Sequence, residues 1–583
     1  MRFEGSFAQL KERLEILAQV GTWKELNPNQ YEFRTHSGGV MSWYPGTGEL
    51  GFQGQPESSL ELEQLVKGML SQDGEAMPDA RPIMENLAHA PEYMNMSFLD
   101  DSYADSELVL GFVGALGTDL KVVCQIVEDR LKAFRYTAHC IRISTDVIAK
   151  IGDVPQTENR VERIDRYMRE GNRLREVSGD NSILALGAAV AISQLRYQES
   201  KAEPGRNAYL LNSLKTPFEV QRLRKIYAGG FFLIGVHADH ERRSRYLLDD
   251  LRLTKEQAAD LISRDENEKE PHGQHTRDTY HLSDFFVSYD GNLDALKNQI
   301  WRILDLLFGK PYVTPTFDEY AMFMAFSASL RSADLSRQVG AVLTKHDCII
   351  ATGANDVPKA GGGLYWPTRN AAHEIVDEED GRDYKRGEDS NAMQKKEIVE
   401  NIIRSLPEHC RDEVAPLIRD SGIKDITEYG RVVHAEMEAL LSSSRVGVSA
   451  VDSTLYCTTY PCHNCAKHII AAGVDRVVYV EPYPKSKAQK FHSDSISQDR
   501  SRKGVFFDAF IGVGPRSFFD LFSMSLGSGY AVIRKTEHGQ TVDWTEADAK
   551  LRTQMLPCSY IDHEDEAGYT LSMYLKGDSD ERK

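Results

Sequence analysis

The chain carries His434-Ala435-Glu436 and, further on, Pro461-Cys462-His463-Asn464-Cys465, and nothing else in it constrains the fold so tightly. Cysteines three residues apart at a helix start present both sulfurs on one face, and the helix N-terminus favours their thiolate forms. With His434 they make three zinc ligands and leave a fourth tetrahedral position for water, which separates a catalytic zinc from a closed structural one. Glu436, two residues beyond the histidine, is spaced to move protons instead of binding metal. A lone Cys-x-x-Cys also suits a redox pair or half of a structural zinc site. The preceding proline, the upstream His-x-Glu and a strand-then-helix context weigh against both, and Cys457 and His463 read as packing and surface residues.

At 583 residues the chain exceeds one hydrophobic core, and roughly three or four domains are expected. A formal charge of −19 opposes non-specific adhesion to nucleic acid or anionic membrane, so a polynucleotide ligand would need a local basic surface. Apolar runs such as Phe231 to Val236 fall short of a membrane span, and no membrane partner is expected. Glu4, Lys11, Glu12, Arg13 and Glu15 interrupt any signal-peptide core, which points to the cytoplasm, where the scattered thiols stay reduced.

Residues 1–72 read as a small α+β module: a helix through Phe7, Leu10, Leu14 and Leu17, a three-stranded meander through Tyr31, Phe33, Trp43, Tyr44 and Phe52, and a second helix. Its aromatics suit core packing better than base stacking. Residues 73–106, acidic and interrupted by Pro78, Pro82 and Pro91, read as a linker. From 107 to 310, apolar strands at Glu107 to Val113, Ala138 to Ile143, Ala208 to Leu211, Phe231 to Val236 and Phe285 to Val287 alternate with helices, which implies a parallel sheet. A last domain, 316–575, opens on the capping-box pattern Thr316-Phe317-Asp318-Glu319. It continues with strands near Val339 to Leu343, Ile349 to Thr352, Leu455 to Thr458 and Val477 to Val480.

The first strand of the 107–310 segment runs into Gly114-Ala115-Leu116-Gly117-Thr118-Asp119-Leu120-Lys121 and then a helix. Strand, glycine turn and helix are the parts of a phosphate cradle, in which backbone N–H groups face the anion. The usual second glycine and lysine fall on Asp119 and Leu120, so this degenerate P-loop suits a regulatory nucleotide, ATP or a deoxynucleotide, held by Gly114, Ala115, Gly117, Thr118 and Asp119, better than phosphoryl transfer. Arg242, Arg243 and Arg245 stand where nucleotide kinases carry a lid, and equally suit a solvated basic loop.

The His-x-Glu and Pro-Cys-x-x-Cys pair is the pattern of zinc deaminases. Arg331-Ser332-Ala333-Asp334, Gln338-Val339-Gly340-Ala341, Gly353-Ala354-Asn355 and Leu455-Tyr456-Cys457-Thr458-Thr459-Tyr460 extend the likeness, and the segment from Thr316 to about Phe522 resembles the deoxycytidylate deaminases. Joined to a P-loop kinase-like domain, it resembles the bacterial anti-phage dCTP deaminases over residues 107 to 575. The resemblance implies an α/β protein: a kinase-like parallel-sheet domain, a three-layer α/β deaminase domain and the small α+β module outside the likeness.

It further implies zinc on His434, Cys462 and Cys465, proton transfer by Glu436, and the sugar held by Asn355. Ser332, Arg337 and Arg516 are candidates for the substrate phosphates. The implied reaction converts free dCTP, and dCMP, to dUTP and dUMP, depleting cytosine deoxynucleotides in antiviral defence. A homo-oligomer is expected, with control by nucleotides or, in some family members, by a small RNA. The charged stretch from Pro367 to Glu428 departs from ordinary deoxycytidylate deaminases and is placed to alter substrate choice or the subunit interface. Two other readings share the residues: editing of single-stranded RNA or DNA, against which the acidic charge counts, and a nucleotide sensor without turnover, which would have no need of Glu436.

Overall fold

The computed structural model describes residues 2–70 and 106–580, apart from residues 4, 28–29, 36, 38, 55, 156, 201–204, 267–271, 427, 482–485 and 556. The chain divides into two compact units, Met1–Asp101 and Ser102–Lys583. Of the expected acidic linker at 73–106, all but Ser106 lies outside the described residues.

In the first unit, helices Phe7–Arg13 and Pro56–Leu70 flank strands β1 (Gly21–Asn27), β2 (Gln30–Thr35), β3 (Gly39–Tyr44) and β4 (Glu49–Gly54), paired antiparallel in that order. The sheet therefore has four strands where the sequence predicts three. β1 escapes a search for apolar runs because it is an edge strand: Thr22 and Lys24 are exposed and only Trp23 between them turns toward the core. Phe33 and Trp43 are buried, and Phe7 stacks on Tyr31 with centroids 3.9 Å apart. These rings form the core of the module.

The second unit is built on two six-stranded sheets. In the first, β5 (Leu108–Gly114), β6 (Thr137–Arg142), β7 (Asn207–Asn212), β8 (Phe231–His237) and β9 (Phe285–Ser288) are all parallel, in the order β6-β7-β5-β8-β9. Every residue of β5 is buried, as a central strand covered on both faces requires. Leu108, Leu110 and Phe112 pack on one face with Val123, Val127 and Leu304. Val109 and Val113 pack on the other with Leu184, Ile192 and Leu223. Helices Leu120–Leu131 and Leu293–Leu307 thus cover one face, and Ile183–Ser200 and Pro217–Tyr227 the other.

The second sheet contains β10 (Gly340–Lys345), β11 (Cys348–Ala354), β14 (Thr454–Thr459), β15 (Arg476–Glu481), β16 (Ile496–Ser497) and β17 (Val505–Ala509), in the order β11-β10-β14-β15-β17-β16. It is mixed: β10 pairs antiparallel with both β11 and β14, whereas β14, β15, β17 and β16 run parallel. A two-stranded ribbon, β12 (Thr368–Arg369) with β13 (Ile375–Val376), lies in the intervening charged stretch. Helices Ala435–Arg445 and His463–Ala471 cover one face, and Phe317–Ser329 covers the other. The last opens on the expected capping box, with Thr316 and Glu319 reciprocally bonded.

Two glycines set how closely these helices approach. A Cβ on Gly340 would lie 1.9 Å from the Ala325 carbonyl oxygen, and one on Gly353 would lie 2.1 Å from that of Ala435. The helix beginning at Ala435 therefore sits directly on β11.

Beyond the second sheet the chain returns to the first. β18 (Gly512–Val513) pairs antiparallel with β9. Leu521 and Leu551 join one core of the first sheet, while Met555, Tyr560 and Leu571 join the other. The terminal helix Pro557–Asp580 is anchored by Arg196, buried between Glu107 and Glu564. Among the described residues no helix is long and apolar enough to cross a membrane.

Candidate metal centre and active site

Two helix N-termini meet on one face of the second sheet. His434 is the N-cap of Ala435–Arg445, and Cys462 is the N-cap of His463–Ala471, its sulfur accepting from the Cys465 N–H at 3.5 Å. The His434 Nδ1 lies 3.3 Å from the sulfur of Cys462 and 3.3 Å from that of Cys465. The ligand atoms of all three residues lie within 4.8 Å of one another. Two thiolates and an imidazole converging from two positive helix ends suit a zinc ion and leave room for a fourth ligand.

Electrostatics favour the thiolate at Cys462. The Cys462 thiol accepts hydrogen bonds from Cys465 and His434, which hold its pKa down to about 4 although burial opposes this. The same bond to Cys462, together with burial, pushes the Cys465 thiol up. His434 is raised to about 9, first by its bond to Cys462. Glu436, in the first turn of the same helix, is 4% exposed, and burial pushes its carboxyl above the usual range. A carboxyl that takes up a proton readily, beside the metal ligands, is suited to acid and base work near neutral pH.

The three-ligand set opens into a cavity of about 390 Å³, lined by His434, Glu436 and Cys462 together with Asn355 and Arg337. The Asn355 side chain braces this wall: Oδ1 accepts from the Val339 N–H at 2.6 Å and Nδ2 donates to the Arg337 carbonyl at 2.8 Å. Arg337 pairs with Glu481 at 3.4 Å. Ser332 is buried behind the wall, its hydroxyl donating to the Asn355 carbonyl at 2.6 Å. Arg516 lies elsewhere, on helix Pro515–Phe522 beside Arg224 and Asp284, and is not among the cavity's lining residues.

Sequence reasoning noted the segment Gly381 to Asn391 in the charged stretch 367–428 but gave no role to Asp383, Asp389 or Lys395, which that stretch brings to the same cavity. Asp383 is held by Arg431 at 2.7 Å, and Asp389 caps helix Ser390–Ser405. The only signal available for them was the insertion itself.

At the glycine turn after β5, Asp119 caps helix Leu120–Leu131 by accepting from the Val122 N–H. The buried carboxylate of Asp265 accepts from the Leu116 N–H at 2.7 Å and from Lys215 Nζ at 2.6 Å, and Lys215 also donates to the Gly114 carbonyl. An internal anion thus holds a donor that a phosphate cradle would present. Gly117, at φ +90°, packs against the Arg243 backbone, where a Cβ would lie 2.8 Å from the carbonyl oxygen.

A buried carboxyl beside an open Cys2His set defines a zinc-hydrolase type of centre. Residues 315–481, which contain all four of these groups, match the family described as "Cytidine and deoxycytidylate deaminase zinc-binding region". The chain is similar to the deoxycytidylate deaminase of Saccharomyces cerevisiae, 27% identical over 226 residues, covering 38% of this chain and 57% of the relative. It is also similar to the human deoxycytidylate deaminase, 33% identical over 110 residues, covering 18% and 57%, and to that of phage T4, 29% identical over 171 residues, covering 28% and 77%. The chain thus spans little more than half the length of the yeast and human relatives. A solved dCMP deaminase of cyanophage S-TIM5 aligns at 21% identity over 34% of this chain and all of that one, with a TM-score of 0.20.

Proposed function

We propose that this chain is a zinc-dependent hydrolytic deaminase of free deoxycytidine nucleotides. The observation that carries the reading is the buried Glu436 beside His434, Cys462 and Cys465, opening into a cavity of about 390 Å³. Zinc held by His434, Cys462 and Cys465 would supply the Lewis acidity that makes a water molecule nucleophilic at neutral pH. Glu436 would accept one proton from the attacking water and deliver it to ring N3, then take the second from the hydroxyl so formed on C4 and pass it to the 4-amino group as the C4=O bond forms. One water is consumed, the C4–N bond breaks, ammonia leaves and a uracil nucleotide remains. Turnover in ¹⁸O-water tests this directly: the label is expected at the C4 oxygen of the product, and unlabelled product contradicts hydrolysis.

The finer assignments belong to the same proposal. Arg337 and Lys395 on the cavity wall favour an anionic substrate, dCTP or dCMP, with Asn355 and Ser332 shaping the wall that meets the sugar. Depletion of these nucleotides would serve antiviral defence by a cytoplasmic homo-oligomer, with a small RNA as one form of control. Residues 316–575 would form the deaminase domain and 107–310 a nucleotide-binding regulatory domain. In support of the latter, its five strands run second, third, first, fourth, fifth across the sheet. Such an order creates a switch point at the carboxyl end of β5, where parallel sheets bind ligands.

A further inference from the structure

Apart from Cys457 and the two metal cysteines, the described cysteines are Cys124, Cys140, Cys348 and Cys410, all with free thiols, and the first two meet. Cys124 lies in helix Leu120–Leu131 and Cys140 on β6, the strand at one edge of the first sheet. We propose that these two form a reversible redox site, at which hydrogen peroxide oxidises both thiols to a disulfide that staples the helix to the sheet edge. The inference is independent of the deaminase reading, because neither residue belongs to the metal ligands or their cavity.

The alternation of side chains along β6 brings the two sulfurs together. His139 stacks on Tyr209, and Ile141 is buried with Tyr209 and Leu211, so these two point to one face of the sheet. Ala138 packs into the opposite core, with Leu120, Val123, Cys124 and Leu210. Cys140 is two residues on from Ala138 and stands beside Leu210 in the strand register, so it shares the face that the helix covers. There the Cys124 thiol donates a hydrogen bond to the Cys140 sulfur. Cys124 is 5% exposed, whereas Cys140 is open to solvent on the last strand of its sheet.

Burial and access divide the sulfurs into the two roles that disulfide formation requires. The hydrogen bond from Cys124, aided by the charge of Arg142, brings the Cys140 thiol down to about 7, against the opposing effects of burial, Asp146 and Glu128. The same bond, together with burial, pushes the Cys124 thiol up. Cys140 is therefore the sulfur that an oxidant meets as a thiolate, and Cys124 is the protonated one held against it. The thiolate attacks one peroxide oxygen: the S–O bond forms, the O–O bond breaks, and the departing hydroxide takes a proton from solvent to become water. The Cys124 sulfur then attacks the sulfenic sulfur: the S–S bond forms, the S–O bond breaks, and hydroxide leaves with the Cys124 proton as a second water. Each sulfur loses one electron, and the peroxide oxygens gain both. A dithiol reductant reverses the bond, which is transient wherever thiols are otherwise kept reduced. The stapled helix is the one that Asp119 caps at the end of the glycine turn, so oxidation fixes the element that follows that turn.

The test is peptide mass spectrometry of the zinc-loaded full-length protein, treated with a few equivalents of hydrogen peroxide, then denatured and alkylated with iodoacetamide before digestion. A peptide pair joining Cys124 to Cys140 is expected, lighter by two hydrogens than the separate thiol peptides and absent after dithiothreitol. Cys348, exposed at the start of β11, and Cys410, whose thiol donates to the Pro407 carbonyl, are expected to remain alkylated. Cys124→Ser is expected to leave Cys140 as a sulfenic acid that dimedone captures, and Cys140→Ser to leave Cys124 alkylated as in untreated protein. Oxidation of Cys140 without the cross-link in the wild type, oxidation of Cys140 no greater than that of Cys348, or a bond from either residue to a different cysteine would overturn the proposal. The wild-type comparison decides this even where a variant fails to fold.

Discussion

At the scale of single residues the account divides labour between binding metal and moving protons. Cys462 and Cys465 are placed by one helix start and His434 by another, so Cys462→Ser is expected to lose zinc, measured as metal per chain after dialysis. Glu436→Ala is expected to retain zinc and to lose about 10²- to 10⁴-fold in turnover, the usual range for a general acid or base. A variant that lost both together would merge the two roles. Asp318 tests the electrostatics away from the centre. Burial raises its pKa, but hydrogen bonds from Arg476 and Tyr456 outweigh this and leave it below the usual range. A carboxyl lowered on folding stabilises the protein above its unfolded pKa of about 3.8–3.9, and that contribution fades as pH falls through the folded value. Asp318→Asn should therefore lower the melting temperature at pH 7 and have a smaller effect near pH 3.

At the scale of elements, close approach and buried pairing decide what can change. Gly353 lets helix Ala435–Arg445 rest on β11, so Gly353→Ala is expected to cost about 1–3 kcal/mol and to weaken zinc retention by displacing His434. Arg196 satisfies Glu107 and Glu564 in the anchoring of the terminal helix. Arg196→Leu would leave two carboxylates buried without a cation, at about 3–5 kcal/mol. Burial already raises the Glu564 carboxyl, so without the arginine the deficit is largest at neutral pH and shrinks as pH falls toward the unfolded carboxylate range, which denaturant titration at two pH values would read. The same elements mark what a sequence can disclose. In the second unit β5 to β11, β14 and β15 were legible as apolar runs, whereas β16, β17 and β18 were not read from the sequence; β16 and β18 are only two residues each. β1 was not legible either, because on this edge strand Thr22 and Lys24 are exposed on either side of Trp23, which leaves no apolar run there.

At the scale of the molecule, the metal residues were legible because their chemistry demands fixed types at fixed spacing, whereas the walls around them depend on tertiary contacts. No local pattern foretells that Asp265 reaches the glycine turn, that Asn355 spends its amide on the backbone at 337–339, or that Lys395 arrives from an insertion. Nor does spacing reveal that residues 512–571 return to the first sheet. The net charge of −19 does act at this scale, opposing polynucleotide substrates. The central claim is tested most directly by incubating zinc-loaded protein with dCTP, dCMP, CTP and a cytosine-containing single-stranded oligonucleotide and resolving the products by chromatography. The account predicts dUTP or dUMP from the free deoxynucleotides and an unaltered oligonucleotide; uracil confined to the oligonucleotide, or no deamination by protein with zinc bound, would contradict it.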